Sequence, residues 1–178
     1  MNTSTPPSST LVRKPETVLK QVFGYSEFRD GQSAVIDAAI NGQDSLVLLP
    51  TGGGKSVCYQ IPALVLEGVT IVISPLISLM QDQVTQLQAL GVKAAYINNS
   101  LAREEQQLVY QQLHQGLIKL LYVAPEKVLQ REFLERLSHL NVSLFAIDEA
   151  HCVSHWGHDF RPHYLRLNEL KQRFTHVP

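Results

Sequence analysis

Short runs of branched apolar residues alternate along this chain with longer stretches in which apolar positions recur every three or four residues. The runs at 46–49, 70–74, 94–97, 118–123 and 142–147 are too short for helices and rich in residues that suit buried strands. They predict five strands. Between them, 57–66, 75–90, 101–113 and 124–140 carry helical spacing, the second closed by Gly91. Two helices precede the first strand: in one Val18, Val22 and Phe23 share a face and Gly24 stops the segment, and in the other, 33–40, Val35, Ile36, Ala39 and Ile40 do so before Asn41-Gly42. Alternating strands and helices with short linkers predict an α/β fold, a parallel sheet with helices on both faces.

Composition changes this picture at the ends and sets limits elsewhere. Residues 1–10 offer only Ser, Thr, Pro and Asn after the methionine, too little apolar surface to offset the entropy of ordering, so 1–14 reads as a tail and 15–178 as one domain. No apolar run approaches the ~18 residues of a membrane span, and no signal-peptide core follows Met1. The expected setting is cytoplasmic, nucleoid-associated in a bacterium or nuclear in a eukaryote, with no membrane partner. Cys58 and Cys152 fit free thiols in a reducing compartment. A net charge of −1 excludes a global basic field, so any contact with nucleic acid must be local.

Two stretches carry chemistry. After the apolar run 46–49 comes Pro50-Thr51-Gly52-Gly53-Gly54-Lys55-Ser56. Consecutive glycines let backbone N–H groups curl toward one point, and a helix starting near Lys55 adds its positive end, which suits a polyphosphate. Lys55 would reach the outer phosphates and Ser56 would ligate magnesium. Leu49 stands where the strict pattern G-x-x-x-x-G-K-[ST] has its first glycine. The bland alternative is a glycine turn joining a strand to a helix. The second stretch is Asp148-Glu149, delivered at the C-terminal end of the run 142–147, where open α/β sheets bind ligands. Asp148 would hold magnesium and Glu149 would orient and deprotonate the attacking water of a phosphoryl transfer. The alternative is a pair of carboxylates capping a helix.

Pro-Thr-Gly-Gly-Gly-Lys-Ser, Ser-Pro-Leu-Ile-Ser-Leu-Met-Gln-Asp-Gln at 74–83 and Asp-Glu-Ala-His at 148–151 resemble motifs I, Ia and II of superfamily 2 helicases. Phe-Gly-Tyr-Ser-Glu-Phe-Arg-Asp-Gly-Gln at 23–32 and Trp-Gly-His-Asp-Phe-Arg-Pro at 156–162 resemble hallmarks of the RecQ-type DNA helicases, the bacterial enzymes above all. The resemblance implies a RecA-like P-loop NTPase domain that uses ATP and Mg2+. It implies that Tyr25 stacks on adenine while Arg29 and Gln32 read its edge and hold the phosphate loop formed by Thr51, Gly52, Gly53, Gly54, Lys55 and Ser56. Asp30 stands where that family usually has proline. It further implies that 154–164 is an aromatic-rich loop sensing single-stranded DNA through Trp156, His158, Phe160 and Arg161, with His151 linking it to the carboxylates. A base stacked on an aromatic ring contributes ~1–3 kcal/mol. His155 and His163 depart from the family pattern. Their spacing with His151, Cys152 and His158 matches no zinc signature, and no zinc is expected in this chain. Ser78 or Gln81 in motif Ia could meet a DNA phosphate, and Glu126 more plausibly caps a helix.

A complete member of that family continues with a motif III strand, a second RecA-like domain carrying an arginine finger, a four-cysteine zinc domain and a winged helix. The chain ends at Pro178 without them. The expectation is therefore a domain lacking the motif III strand between the phosphate-loop strand and the Asp-Glu strand, with an apolar slot in its place and marginal stability. Turnover is expected near background, because an arginine finger is worth ~10³–10⁵ in rate. The resemblance implies a parent enzyme that is a 3′-5′ DNA helicase in recombination and repair, acting on single-stranded and forked DNA. The alternatives are an RNA-dependent ATPase of the same superfamily and a non-catalytic nucleotide- or DNA-binding fragment.

Overall fold

The computed structural model describes residues 13–50, 52–154, 156–157 and 159–178. Residues 1–12 of the expected tail, Thr51, His155 and His158 lie outside the described residues. Pro15 opens the first helix (α1, Pro15–Val18), where its missing N–H costs nothing, and a wide turn over Leu19–Phe23 follows before Gly24 at φ 74°. The other elements are α2 (Gln32–Ile40), α3 (Val57–Val65), β1 (Val69–Ile73), α4 (Ile77–Ala89), β2 (Ala94–Ile97), α5 (Arg103–His114) and β3 (Leu120–Val123). They continue with α6 (Pro125–Val128), α7 (Arg131–Ser138), β4 (Val142–Ile147), tight turns at Ala150–Val153 and Pro162–Arg166, and α8 (Asn168–Arg173). The expected single helix at 124–140 is two, because Gln130 is extended at ψ 133° and restarts the chain as α7.

All the strand pairs are parallel, in the order β2-β3-β1-β4. Side chains on successive residues of a strand face opposite ways, so each strand feeds two cores. Ile71, Ile73, Leu121 and Val123 meet Phe133, Leu134 and Leu137 of α7 on one face. Val72, Leu120 and Tyr122 meet Met80, Val84 and Leu87 of α4 on the other. A third cluster, Val18, Leu19, Ile36 and Ile61, ties the N-terminal helices to α3. Each fully buried Leu, Ile or Phe stabilises the fold by ~1.5–3 kcal/mol, which makes these layers the main source of stability.

One expected strand is absent. Residues 46–49 form no ladder among the described residues, and Leu46 and Leu48 are 78% and 85% exposed. The reason is geometric: the outer edge of β4 and this segment flank a cavity of about 600 Å³, so the segment has no strand within pairing distance. Apolar side chains line it, Leu144, Phe145 and Ile147 from β4 and Leu46 and Leu48 from the segment. This is where the sequence reading expects a slot. Two contacts reach across its rim. The Phe145 N–H donates to a main-chain oxygen of Pro178 at 2.9 Å, and Lys171 Nζ sits 2.8 Å from Asp44 Oδ1. The ion pair is half exposed and contributes little.

A half-paired sheet edge beside exposed leucines is a template for self-association. The chain is expected to sediment as mixed oligomers and to scatter light on warming, while Leu46→Lys with Leu48→Lys shifts it toward monomer in sedimentation velocity. A cooperative melt of a purely monomeric wild-type preparation would sink this expectation.

Candidate nucleotide-binding site

The three glycines of the phosphate loop are required for different reasons. Gly52 and Gly54 have φ of 76°, the left-handed region that a side chain disfavours. Gly53 is excluded from substitution by crowding, since a Cβ there would lie 2.8 Å from the Pro50 carbonyl oxygen, to which the Gly53 N–H already donates. Such a loop has little stiffness of its own, and two residues of the preceding segment supply it. The Gln32 amide accepts from the Arg29 N–H at 2.8 Å and donates to the Gly54 carbonyl at 3.0 Å, while the Arg29 guanidinium donates to the Gly52 carbonyl. Gln32 is buried. Gly31, at φ 83°, turns the chain so that α2 starts with Gln32 facing the loop.

Of the expected nucleotide contacts, Arg29 and Gln32 are therefore placed on the loop backbone. Tyr25 lies outside the cavity walls, 53% exposed, as an open aromatic face. Thr51 falls outside the described residues. Ser56 precedes α3 as its N-cap, and its carbonyl accepts from the Tyr59 and Gln60 N–H groups at 3.2 and 2.9 Å.

The carboxylates reach the same place from β4. The Asp148 N–H donates to the Ile73 carbonyl at 2.9 Å, extending the β1–β4 ladder by one bond and fixing where the strand releases its acidic pair. Tyr164 then donates to the Asp148 carbonyl at 2.8 Å. Burial pushes the Asp148 carboxyl above its ordinary value; the Glu149 N–H, 2.9 Å from its Oδ1, opposes that shift, the Glu149 charge adds to it, and Lys55 and His151 pull it down. Glu149 has φ 53°, the one positive value among the described non-glycine residues. A left-handed glutamate costs ~1–3 kcal/mol and persists where its surroundings hold it, a condition concentrated at working sites.

His151 provides that hold. Its Nδ1 lies 3.2 Å from Glu149 Oε2 and its Nε2 lies 3.4 Å from Asp159 Oδ2. An imidazole with both nitrogens facing carboxylates donates to both only as the doubly protonated ring. The His151 bridge thus joins the Asp-Glu pair to the aromatic-rich segment, as the sequence expects, and it does so through Asp159, which the sequence reading did not single out. Trp156 is 98% exposed, so its ring is open to solvent and takes no part in the core. Arg161 anchors the segment at its far end, where its N–H donates to the Cys152 carbonyl at 2.9 Å. Burial raises the Cys152 thiol above its ordinary value, with the Arg161 charge opposing. His158 lies outside the described residues.

Lys55, Asp148, Glu149 and His151 all line the 600 Å³ cavity. Magnesium keeps several waters and takes few protein ligands beside substrate phosphates, so a hydroxyl and a carboxylate suffice. Asp148, which lines the cavity beside Lys55, offers such a carboxylate. Among the described residues no group of three or more His, Cys, Asp or Glu side chains could hold a metal alone, as a zinc site would require.

Gln32→Ala should loosen the loop, leaving the Arg29 N–H and Gly54 carbonyl unpaired at ~1–3 kcal/mol for a buried orphan; urea unfolding measures it. Gly54→Ala should cost more, because its Cβ would lie 2.4 Å from Gln32 Nε2, and Gln32→Ala should recover part of that loss. Asp148 carries a second expectation. Its folded-state pKa is raised, so the folded protein binds the proton more tightly and loses stability as pH rises from the unfolded value through the folded one. Asp148→Asn should therefore raise the melting temperature at pH ~7 and the gain should vanish near pH ~4; a gain that persists in acid would contradict the burial argument.

The family model for DEAD/DEAH box helicases matches residues 29–177. The chain is 56% identical over 172 residues to the ATP-dependent DNA helicase RecQ of Haemophilus influenzae, covering 96% of this chain and 28% of that protein. It is 60% identical over 161 residues to the RecQ of Pasteurella multocida, covering 90% and 26%. It thus spans about a quarter of the length of these relatives. Among solved structures, a DUF1998 helicase, MrfA, bound to DNA and AMPPNP superposes with a TM-score of 0.65 at 18% identity, over 82% of this chain and 22% of that one. A hypothetical ATP-dependent RNA helicase from Sulfolobus tokodaii gives 0.59 at 19%, over 91% and 46%. At such identities the two structures speak for the fold, and the match over 29–177 for the family: this chain belongs to the DEAD/DEAH box helicases.

Proposed function

We propose that this chain is the ATP-binding part of a 3′-5′ DNA helicase that couples ATP hydrolysis to the unwinding of forked DNA in recombination and repair. The observation that carries the reading is the meeting, around one cavity, of the loop lysine Lys55 with the carboxylates Asp148 and Glu149 and the His151 bridge to the aromatic-rich segment. Lys55 and the loop N–H groups would neutralise the outer phosphates of ATP. Ser56 and Asp148 would hold magnesium, which would supply charge neutralisation at those phosphates. Glu149 would orient the attacking water and take its proton, its carboxylate held in place by His151. Tyr25 offers its exposed ring to adenine.

DNA would enter through Trp156 and Phe160, whose rings can stack on bases, and Arg161, which adds charge. Asp159 lies between these residues in sequence and touches His151, so a shift of the segment alters the partner of Glu149 directly. Rapid turnover needs a cation at the leaving phosphates beyond Lys55, and no arginine lines the cavity among the described residues. A second RecA-like domain is the expected donor. The same relatives make DNA a better stimulant than RNA in this reading, with the enzyme working in the cytoplasm near the nucleoid or in a nucleus.

Isothermal titration with Mg-ATP should give binding that Lys55→Ala abolishes, and the 178-residue chain should hydrolyse ATP near background with or without single-stranded DNA. Wild type binding no better than Lys55→Ala would defeat the proposal. RNA stimulating turnover of the longer parent enzyme more than DNA would replace it with an RNA-dependent ATPase.

A further inference from the structure

One buried hydroxyl beside the carboxylates has no part in the site described above. Polar side chains buried in the sheet and under the helices that cover it mostly pair with one another. Thr70 Oγ1 lies 3.2 Å from Ser143 Oγ, the Tyr59 and Tyr122 hydroxyls are 3.2 Å apart, and Tyr122 and Gln60 both donate to Gln83 Oε1 at 3.2 Å. Such groups are costly in an apolar layer unless they are satisfied. Ser74 breaks the pattern: it is 1% exposed, and no group among the described residues hydrogen-bonds to its Oγ. A serine just ahead of a helix ordinarily caps it, but α4 has Leu76 at its N-cap and no side-chain cap bond.

Two ladder bonds fix where this hydroxyl stands. The Ser74 N–H donates to the Val123 carbonyl at 3.1 Å and the Asp148 N–H to the Ile73 carbonyl at 2.9 Å, so β1 and β4 each continue for one residue beyond their last pair. That last pair is Ile73 with Ile147, which sets Ser74 directly beside Asp148. Alternation decides the side. Val72 and Ala146 pack into the layer that holds Met80 and Val84 of α4, and Ile73 packs into the layer on the opposite face. Ser74 and Asp148 both return to the face of Val72 and Ala146. Adjacent strands lie ~4.8 Å apart, a spacing across which a hydroxyl can meet a carboxylate on the same face. The carboxylate has two oxygens, and the Glu149 N–H takes Oδ1 at 2.9 Å.

We propose that Ser74 is a positioning residue of the nucleotide site: its hydroxyl receives the Asp148 carboxylate when that side chain turns to magnesium, donating to the oxygen directed away from the ion. The proposal rests on the reading of Asp148 as the magnesium carboxylate. Carboxylates that ligate a metal are themselves hydrogen-bonded, and the partner fixes their orientation. In the ligand-free chain the Ser74 hydroxyl is a donor with no acceptor and stabilises nothing. With the ion bound, donor and acceptor meet, and Asp148 is held from within the sheet while Lys55 stands across the cavity. Removing the hydroxyl therefore acts in opposite directions in the two states.

Two measurements on the 178-residue chain decide it. In urea unfolding without ligand, Ser74→Ala should be as stable as wild type or more so, because an unpaired buried hydroxyl has been removed. In calorimetric titration with a non-hydrolysable ATP analogue, run once in magnesium and once in EDTA, magnesium should tighten wild-type binding by about tenfold or more. Ser74→Ala should lose about threefold or more of that gain and keep the EDTA affinity to within about 1.5-fold. Asn98→Ala removes the other unpaired buried donor, which follows β2 on the far side of β3, and should keep the whole magnesium gain. A serine with a purely structural role would lower stability when replaced, or weaken binding alike in magnesium and EDTA; either result overturns the proposal, and so does a full magnesium gain in Ser74→Ala. A wild-type chain that binds the analogue equally in both solutions, or in neither, overturns the reading of Asp148 as the magnesium carboxylate and this proposal with it.

Discussion

Parallel pairing is the constraint on which everything else here depends. Because β1, β2, β3 and β4 all run the same way, each must be joined to the next by a crossover, and all their C-terminal ends lie along one rim. That rim receives Ser74 after β1 and Asp148 after β4, and the segment before α3 brings the glycine loop to it. A single extra ladder bond, from the Asp148 N–H to the Ile73 carbonyl, sets how far the carboxylates project. Chemistry at the rim is thus positioned by backbone bonds inside the sheet, whose strands are held by apolar layers on both faces.

At the rim itself stability is given up for function in two places. A carboxylate is half buried at Asp148 with its charged form disfavoured, and a glutamate backbone sits in the left-handed region at Glu149. Both conditions are held by neighbouring side chains: Tyr164 grips the Asp148 carbonyl and His151 grips the Glu149 side chain. The loop shows the same division of labour, its glycines giving the shape and Gln32 and Arg29 the stiffness.

Much of this was legible in the residues. Hydrophobic periodicity located β1, β2, β3 and β4 to within two residues, since each is a short branched run with charged or turn residues at its ends. The pattern failed at 46–49 because an apolar run specifies a wish to be buried and not the partner that buries it; β4 lies across a cavity, and no ladder forms. The split at Gln130 was hidden because both halves of 124–140 keep helical spacing. Lys55, Asp148, Glu149 and His151 could be named from motifs and do line one cavity. Asp159 and Tyr164 could not be singled out, because their roles arise from contacts with a histidine side chain and a backbone carbonyl that no local spacing encodes. Tyr59 and Tyr122 looked like ordinary members of apolar segments for the same reason: their hydroxyls meet across 63 positions of chain.

The strand order also governs the sequence of assembly. β3 lies between β2 and β1, so the first two strands to be made never pair with each other, and Thr70 waits for Leu120 on one side and Leu144 on the other. Until Leu120–Val123 is available no strand has either of its final neighbours. During synthesis from the N-terminus, then, the glycine loop, its Gln32 clamp and β1 must all wait as unsheeted chain, and β3 acts as the wedge whose arrival turns two isolated strands into a sheet.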